Sequence, residues 1–434
     1  MSVCAVEVSA LALLAALGVY FYYRAFFSAA TKPRIRRPSP SLEGNSAVIV
    51  VAESYRSSLT HPSGAEWAPV PFDFPKFEPL LDFDFEKTLP VPYRPFKWGS
   101  YHVTMGIKSL EWEDWMELDN RFGEWHAIKA TRAKSRGEKV VRTMPARPAK
   151  EAMYELAEYM SRRYPHIYRV ERLPYVQDDY GWYKEGQIST IEILPIGAKY
   201  DLSNDDPIWV VGQLSADDIV VMVEGEDGRY YFQAGSVCIA GSWRPDEKFG
   251  MPLEEIHVSG HVPQYASRLQ LSMQRYFQRL PVDKLVVRHN YSFQLGGSLA
   301  WAERGLGDED ATWRGLDPKE LGEGFKGFQK PAPAKGPEEV HFRSERQALR
   351  RLPRSGGALF CIKTILEPVT KLAQEPGIPG RMASAIRSWP DDVAQYKGKT
   401  SYKDAVLDML DRAHAEQVAQ GIITEANKPA TYPF

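Results

Sequence analysis

Ile219-Val-Val-Met-Val-Glu-Gly-Glu-Asp-Gly-Arg-Tyr-Tyr-Phe-Gln-Ala-Gly-Ser-Val-Cys-Ile239 sets two apolar runs around the polar turn Glu224-Gly-Glu-Asp-Gly228. Val, Ile, Tyr and Phe suit a pleated, half-buried surface, and glycine in the turn permits a tight reversal. The spacing therefore predicts an antiparallel hairpin. Three further apolar runs extend it: Ile208-Trp-Val-Val211 upstream, then Leu285-Val-Val-Arg-His-Asn-Tyr-Ser-Phe293 and Ala358-Leu-Phe-Cys-Ile-Lys-Thr364 downstream.

Helical periodicity appears on either side of these runs. Trp112, Trp115, Met116, Phe122 and Trp125 mark one helix, and Ala152, Met153, Leu156, Ala157 and Met160 a second. Ala266, Leu269, Met273, Tyr276, Phe277 and Leu280 mark a third, entered through Pro263; Ala405, Val406, Met409, Leu410 and Ala413 mark another near the C-terminus. The segment Phe342–Arg354, with Arg343, Arg346, Arg350, Arg351 and Arg354, is predicted to be largely helical. Helices grouped beside mostly antiparallel strands give an α+β class.

The chain has 434 residues, 44% of them hydrophobic, which is enough for one large core or two modest ones. A net charge of -2 argues against a nucleic-acid partner, because no phosphate-neutralising field is present. Cys4, Cys238 and Cys361 are too few and too scattered for a disulfide framework or an iron–sulfur cluster. No phosphate-binding glycine loop, Cys-x-x-Cys pair, His-Glu-x-x-His helix or Gly-x-Ser-x-Gly elbow occurs.

Val8 to Tyr23 carries no charge, and Lys32, Arg34, Arg36 and Arg37 follow it. With Arg24 snorkelling, the apolar length approaches the roughly 20 residues that span a bilayer. The positive flank predicts a single-pass anchor over 1–30 with the body facing the cytosol, the endoplasmic reticulum being the expected membrane. A signal peptide cleaved after Ser28-Ala-Ala30 is the rival. A Pro- and Ser-rich tether is expected over 31–71, a domain over 72–402 with a polar surface insertion at 305–337, and a helix and tail over 403–434.

Two blocks carry candidate chemistry. Gly241–Tyr265 places His257 after Met251-Pro-Leu-Glu-Glu-Ile, at the end of an element, with Glu254 or Glu255 as a nearby acceptor for its second ring nitrogen. Phe342–Thr364 supplies the arginines, with Arg350 one helical turn from Arg346; Arg288 alternates with apolar neighbours on the strand ahead of it. An imidazole for iron and guanidinium groups for two propionates are what a haem site requires. His261 is the rival ligand, His102 and His289 are candidates for the opposite side, and His61, His166, His341 and His414 read as surface residues. Cys238 reads as a small buried thiol rather than a thiolate ligand.

With Trp98-Gly-Ser-Tyr-His-Val-Thr-Met-Gly-Ile107, these blocks resemble the family of the haem-dependent oxidative N-demethylase alpha subunit, over roughly Pro90 to Tyr402. The resemblance implies a PAS-like sheet wrapped by helices, a haem b cofactor held by His257 with Arg288, Arg346 and Arg350, and a monooxygenase acting on an amine or a larger metabolite. It also implies electrons from NADPH through a separate flavin- or ferredoxin-type partner. The anchor and tether mark a fungal-type membrane-anchored member, in keeping with secondary metabolism. A haem-binding PAS-like sensor without turnover is the alternative. A membrane-anchored glycosyltransferase using Asp82-Phe-Asp84 is a weaker one.

Overall fold

The arginine-rich run that reads as a helix is, over Val340–Arg351, an interior strand of the main sheet. A computed structural model describes residues 67–144, 147–176, 185–239, 241, 244–297, 299 and 333–424. The expected anchor over 1–30, the tether up to residue 66 and most of the expected insertion lie outside them. Among the described residues, no helix is long and apolar enough to cross a membrane.

Among the described residues ten strands run in chain order: β1 (Lys108–Leu110), β2 (Val141–Thr143), β3 (Tyr168–Arg172), β4 (Ile188–Ile193), β5 (Ala198–Asp201), β6 (Asp218–Glu224), β7 (Tyr230–Ser236), β8 (Leu285–Leu295), β9 (Val340–Arg351) and β10 (Ala358–Pro368). Seven form one sheet in the order β1-β8-β9-β10-β6-β7-β2, and β3-β4-β5 form a small second sheet. Every pairing is antiparallel. The expected hairpin is β6–β7, with Gly228 at φ 75 in its turn.

β9 overturns the helical expectation. Arg, Gln, Glu, Ala and Leu favour helices locally, but propensity yields to tertiary context. Here β8 and β10 take up the β9 backbone on both edges, over Val286↔Leu349 to Leu295↔Val340 and Ala358↔Arg351 to Pro368↔His341. A spacing of four residues puts Arg346 and Arg350 on one face of a strand as well as of a helix, so the pattern did not discriminate.

The helices are α1 (Phe122–Arg136), α2 (Arg147–Arg163), α3 (Pro207–Gln213), α4 (Leu253–Ser259), α5 (Gln270–Arg279), α6 (Val369–Leu372), α7 (Ile378–Arg387), α8 (Asp391–Tyr396) and α9 (Lys403–Ala419). Ile208–Val211, expected as a strand, lies in α3, because Asp206 caps it by accepting from Trp209 N at 2.9 Å and Pro207 occupies the first turn. The helix expected over Trp112–Trp125 is a 3₁₀ turn at Trp112–Asp114 followed by α1 from Phe122.

One face of the main sheet packs on α1, α2 and α3 through Trp115, Met153, Met160, Val210, Ile219 and Leu359. The other face packs on α4 and α5 through Met222, Phe232, Leu253, Ile256, Phe277 and Leu349. A third cluster joins α7 and α9 to Tyr291, Phe293 and Phe342, so the C-terminal helix shares its core with β8 and β9. The last residues of the expected tether are already docked: Trp67 donates Nε1–H to Pro353 O at 3.0 Å and covers Gly356, where any Cβ would collide with its ring.

Candidate functional site

Residue alternation along β8 and β9 sorts the predicted residues by face. Arg288 is opposite Gln347, and His289 is opposite Arg346. Arg288 therefore points toward the α4/α5 side, while His289, Arg346 and Arg350 point toward the α1/α2 side.

α4 is fixed from several directions. Phe232 N donates to Met251 O at 3.0 Å, and Gly250 N donates to Phe232 O at 2.8 Å, which ties the approach to α4 onto β7. Arg229 donates to Glu254 and, at 3.0 Å, to Glu255. Those carboxylates thus hold the β6–β7 turn, and the acceptor for His257 is a backbone carbonyl instead: His257 Nδ1 lies 2.7 Å from Leu253 O. A carbonyl only accepts, so Nδ1 carries the proton and Nε2 carries the lone pair. Burial pushes the half-buried imidazole down to about 4, with the positive charges of Arg288 and Lys248 adding to the effect. His257 is thus neutral at pH 7, in the tautomer a metal takes at Nε2.

The ring is also clamped by stacking. Tyr265 lies flat against His257, 4.6 Å between centroids and 12° between planes. Tyr265 opens a π-helical turn, Tyr265–Leu269, that feeds α5. Between His257 and Tyr265 the backbone is strained twice, with His261 at φ 53 and Gln264 at φ 56. Left-handed non-glycine residues and π turns concentrate at functional sites. His261 is exposed at one of these strained positions, whereas His257 is held on both ring and nitrogen.

Arg288 lies close enough to His257 for its charge to act there. Its Nε donates to Met105 O at 2.8 Å and its Nη1 to Gln347 Oε1 at 2.6 Å. Its Nη2 has no protein partner among the described residues. Tyr101, Tyr396 and Glu345 complete the polar surroundings of the guanidinium.

Arg346 and Arg350 are placed differently. Arg346 pairs with Glu117 at 2.9 Å and donates to Trp115 O at 3.1 Å and to Asp114 O. Arg350 contacts Glu155, both fully buried, and lies 4.8 Å from the ring centroids of Trp112 and Trp115. That contact is one of charge and ring stacking rather than aligned hydrogen bonds. On the same side the His289 ring lies against Tyr93, 4.1 Å between centroids and tilted by 32°. The fold thus unites His257 with Arg288 and separates both from Arg346, Arg350 and His289. His102 is exposed, as is His166, but His341 and His414 are only partly so. The Cys238 thiol is buried and pushed up to about 12, first by burial and then by Asp218, as suits an inert core thiol. Asp84 accepts from the backbone of Glu86 and Lys87 within its own turn, at 3.0 and 3.1 Å.

Sequence reasoning missed Tyr265, Gln347, Met105 and Tyr396. The only available signal was the missing acceptor for the Arg288 guanidinium on its own strand; the stacking partner of His257 is set by a π turn that periodicity does not reveal. The residues present fit a haem: a neutral, tautomer-fixed imidazole beside an arginine with an uncommitted N–H pair. The family model for the haem-dependent oxidative N-demethylase, alpha subunit-like, matches residues 106–407, beginning within the Trp98–Ile107 block and covering all ten strands, and the chain belongs to that haem-dependent family.

Proposed function

We propose that the protein is a haem-dependent oxidoreductase of the monooxygenase type, with haem b bound on the α4/α5 side of the main sheet. The observation that carries this reading is the His257 ring, neutral at pH 7, with Nδ1 fixed by Leu253 O and its plane fixed by Tyr265. His257 Nε2 would hold the iron, and Arg288 Nη2 would pair with a propionate. The family, the tautomer and the strained loop Gly260–Gln264 support the assignment together. In this reading the seven-stranded sheet is the PAS-like platform that the family implies.

When bound, the haem supplies oxygen activation. The chain's own residues supply position and electrostatics. Tyr265 keeps the imidazole from rotating, Leu253 O holds its proton, and Arg288 offers a positive charge that would pair with a propionate. An amine or a larger apolar metabolite is the substrate class, and electrons come from NADPH through a separate flavin- or ferredoxin-type partner. The membrane-anchored, cytosol-facing placement rests on the uncharged run Val8–Tyr23 and its basic flank. It is tested by whether the full chain pellets with membranes and needs detergent for release.

The visible spectrum of the purified chain tests the function. A Soret band, with NADPH consumption that requires both an added reductase system and an amine substrate, is expected. A Soret band with no turnover across an amine panel would instead favour a sensor, and a colourless chain that refuses added haem would overturn the assignment.

A further inference from the structure

Between Glu255 and Asp283 the chain has no acidic residue, although 56 of its 434 residues are Asp or Glu. The run contains Arg268, Arg275 and Arg279, all exposed. Spacings of seven and four residues bring the three onto one side of the π turn and α5. Val258 and Leu271, 55% and 59% exposed, lie in the same run. Two arginines exposed elsewhere are paired: Arg169 meets Glu192 at 2.6 Å, and Arg387 binds Asp411. Among the described residues, Arg268, Arg275 and Arg279 have no carboxylate within ion-pair distance. Acids stand at the margins of the run: Asp392, which accepts from Gln264 at 3.0 Å, and Asp283 beyond the end of α5.

Three guanidinium groups in a row repel one another, and with no carboxylate among the described residues to offset them they present a positive face that an anionic surface would complete. Its place on the fold identifies the partner. Arg268 follows Tyr265 by three residues in the same π turn, and Tyr265 stacks on His257. We infer that Arg268, Arg275 and Arg279, with Leu271 and Val258, form the docking face for an acidic electron-carrier protein. The inference rests on the haem assignment above for its purpose but not for its geometry. Such complexes are small and short-lived, steered by opposite charge around a few apolar contacts. Each encounter would pass one electron, the carrier's reduced centre being oxidised as the bound cofactor is reduced. An anionic membrane is the other partner a basic helix suits. The apolar side chains available for insertion here are single aliphatic ones, and no exposed aromatic residue lies in the run, so a protein partner fits better.

The test uses the full chain and the triple variant R268E/R275E/R279E, with R169E as a surface control. Binding to an acidic [2Fe–2S] ferredoxin is read by fluorescence anisotropy, with and without haem, at low and at high salt. Vesicles containing phosphatidylserine form a second arm. The wild-type chain should bind the ferredoxin in a salt-sensitive way, and the triple variant should bind at least about tenfold more weakly with its melting temperature unchanged. Rapid-mixing reduction of the haem by the ferredoxin should slow in parallel, while reduction by dithionite should not. Equal ferredoxin binding by wild type and triple variant, absence of binding by the wild type, or loss of vesicle binding alone would each overturn the docking face. Salt-sensitive docking to a chain that refuses haem would leave the face standing and sink the haem assignment; a Soret band without docking would do the reverse.

Discussion

Arg288 and Arg346 stand one position out of register on paired strands, yet they belong to opposite sides of the sheet and to opposite kinds of chemistry. On the α1/α2 side, Arg346, Arg350 and Lys363 are almost wholly buried against Glu117, Glu155 and Asp119. On the α4/α5 side, Arg288 and His257 are half-buried and held mainly by carbonyl and amide groups. The lesson is that a buried arginine already neutralised by a carboxylate is part of the fold. An arginine positioned by neutral groups keeps its charge available for an incoming anion.

The comparison breaks most sharply at Arg350. Burial pushes the Glu155 carboxyl up to about 8 even with Arg350 beside it; Arg350→Ala should therefore destabilise by about 3–5 kcal/mol in urea unfolding above that pH, where the carboxylate is left buried without its partner, and by less at pH 7. Replacing both members with apolar residues of similar volume should recover much of that loss. If Arg350→Ala instead leaves unfolding unchanged but weakens haem binding, the two sides have been assigned the wrong way round.

Asp217 gives the next largest effect. It is fully buried on the α1/α2 side, and neither carboxylate oxygen has a hydrogen-bond partner. Lys363, Arg346 and Lys129 lower its pKa and Glu117 raises it, but burial prevails and pushes it up to about 6. A raised carboxyl pKa contributes stability that is fully present below the unfolded value and is lost as pH rises through about 6. Asp217→Asn should therefore be the more stable protein at pH 7.5, by on the order of 2 kcal/mol. The difference should vanish near pH 4, as thermal melts across the range would reveal; a variant less stable at pH 7.5 would show that the ionised carboxylate is wanted.

Arg288→Ala sharpens the same contrast from the other side. Loss of its bonds to Met105 O and Gln347 should cost about 1 kcal/mol of stability. Haem affinity should fall roughly tenfold, because a charge-assisted bond to the propionate is lost. Arg288→Lys should recover part of the affinity, which titration with hemin would measure. The smallest effect belongs to His102, which is exposed: His102→Ala should change neither quantity.

Much of this organisation was legible in the residues. The periodicity of Ala152 to Met160 became α2, that of Ala405 to Ala413 became α9, and the Glu224–Gly228 turn closed the β6–β7 hairpin. In each case the local pattern agrees with the burial that the fold imposes. Where they conflict, the reading failed. Phe342–Arg351 is made of helix-favouring residues, and only its long-range pairing with β8 and β10 makes it a strand. The small sheet β3-β4-β5 passed unnoticed because its strands are short and interrupted by charge. At the site, His257 and Arg288 were visible as residue types, but which arginine keeps company with the histidine depends on strand alternation. The choice of Leu253 O over Glu254 or Glu255 as the imidazole acceptor depends on Arg229, which occupies both carboxylates.

Hemin titration of His257→Ala beside His261→Ala tests most directly whether His257 is the iron ligand. His257→Ala should show no Soret band at hemin concentrations that saturate the wild type, with a melting temperature close to wild type because the ring is only half-buried. His261→Ala should bind hemin with an unchanged band. A His257→Ala protein that binds hemin as tightly as wild type, with the band lost in His261→Ala or in neither, would contradict the account.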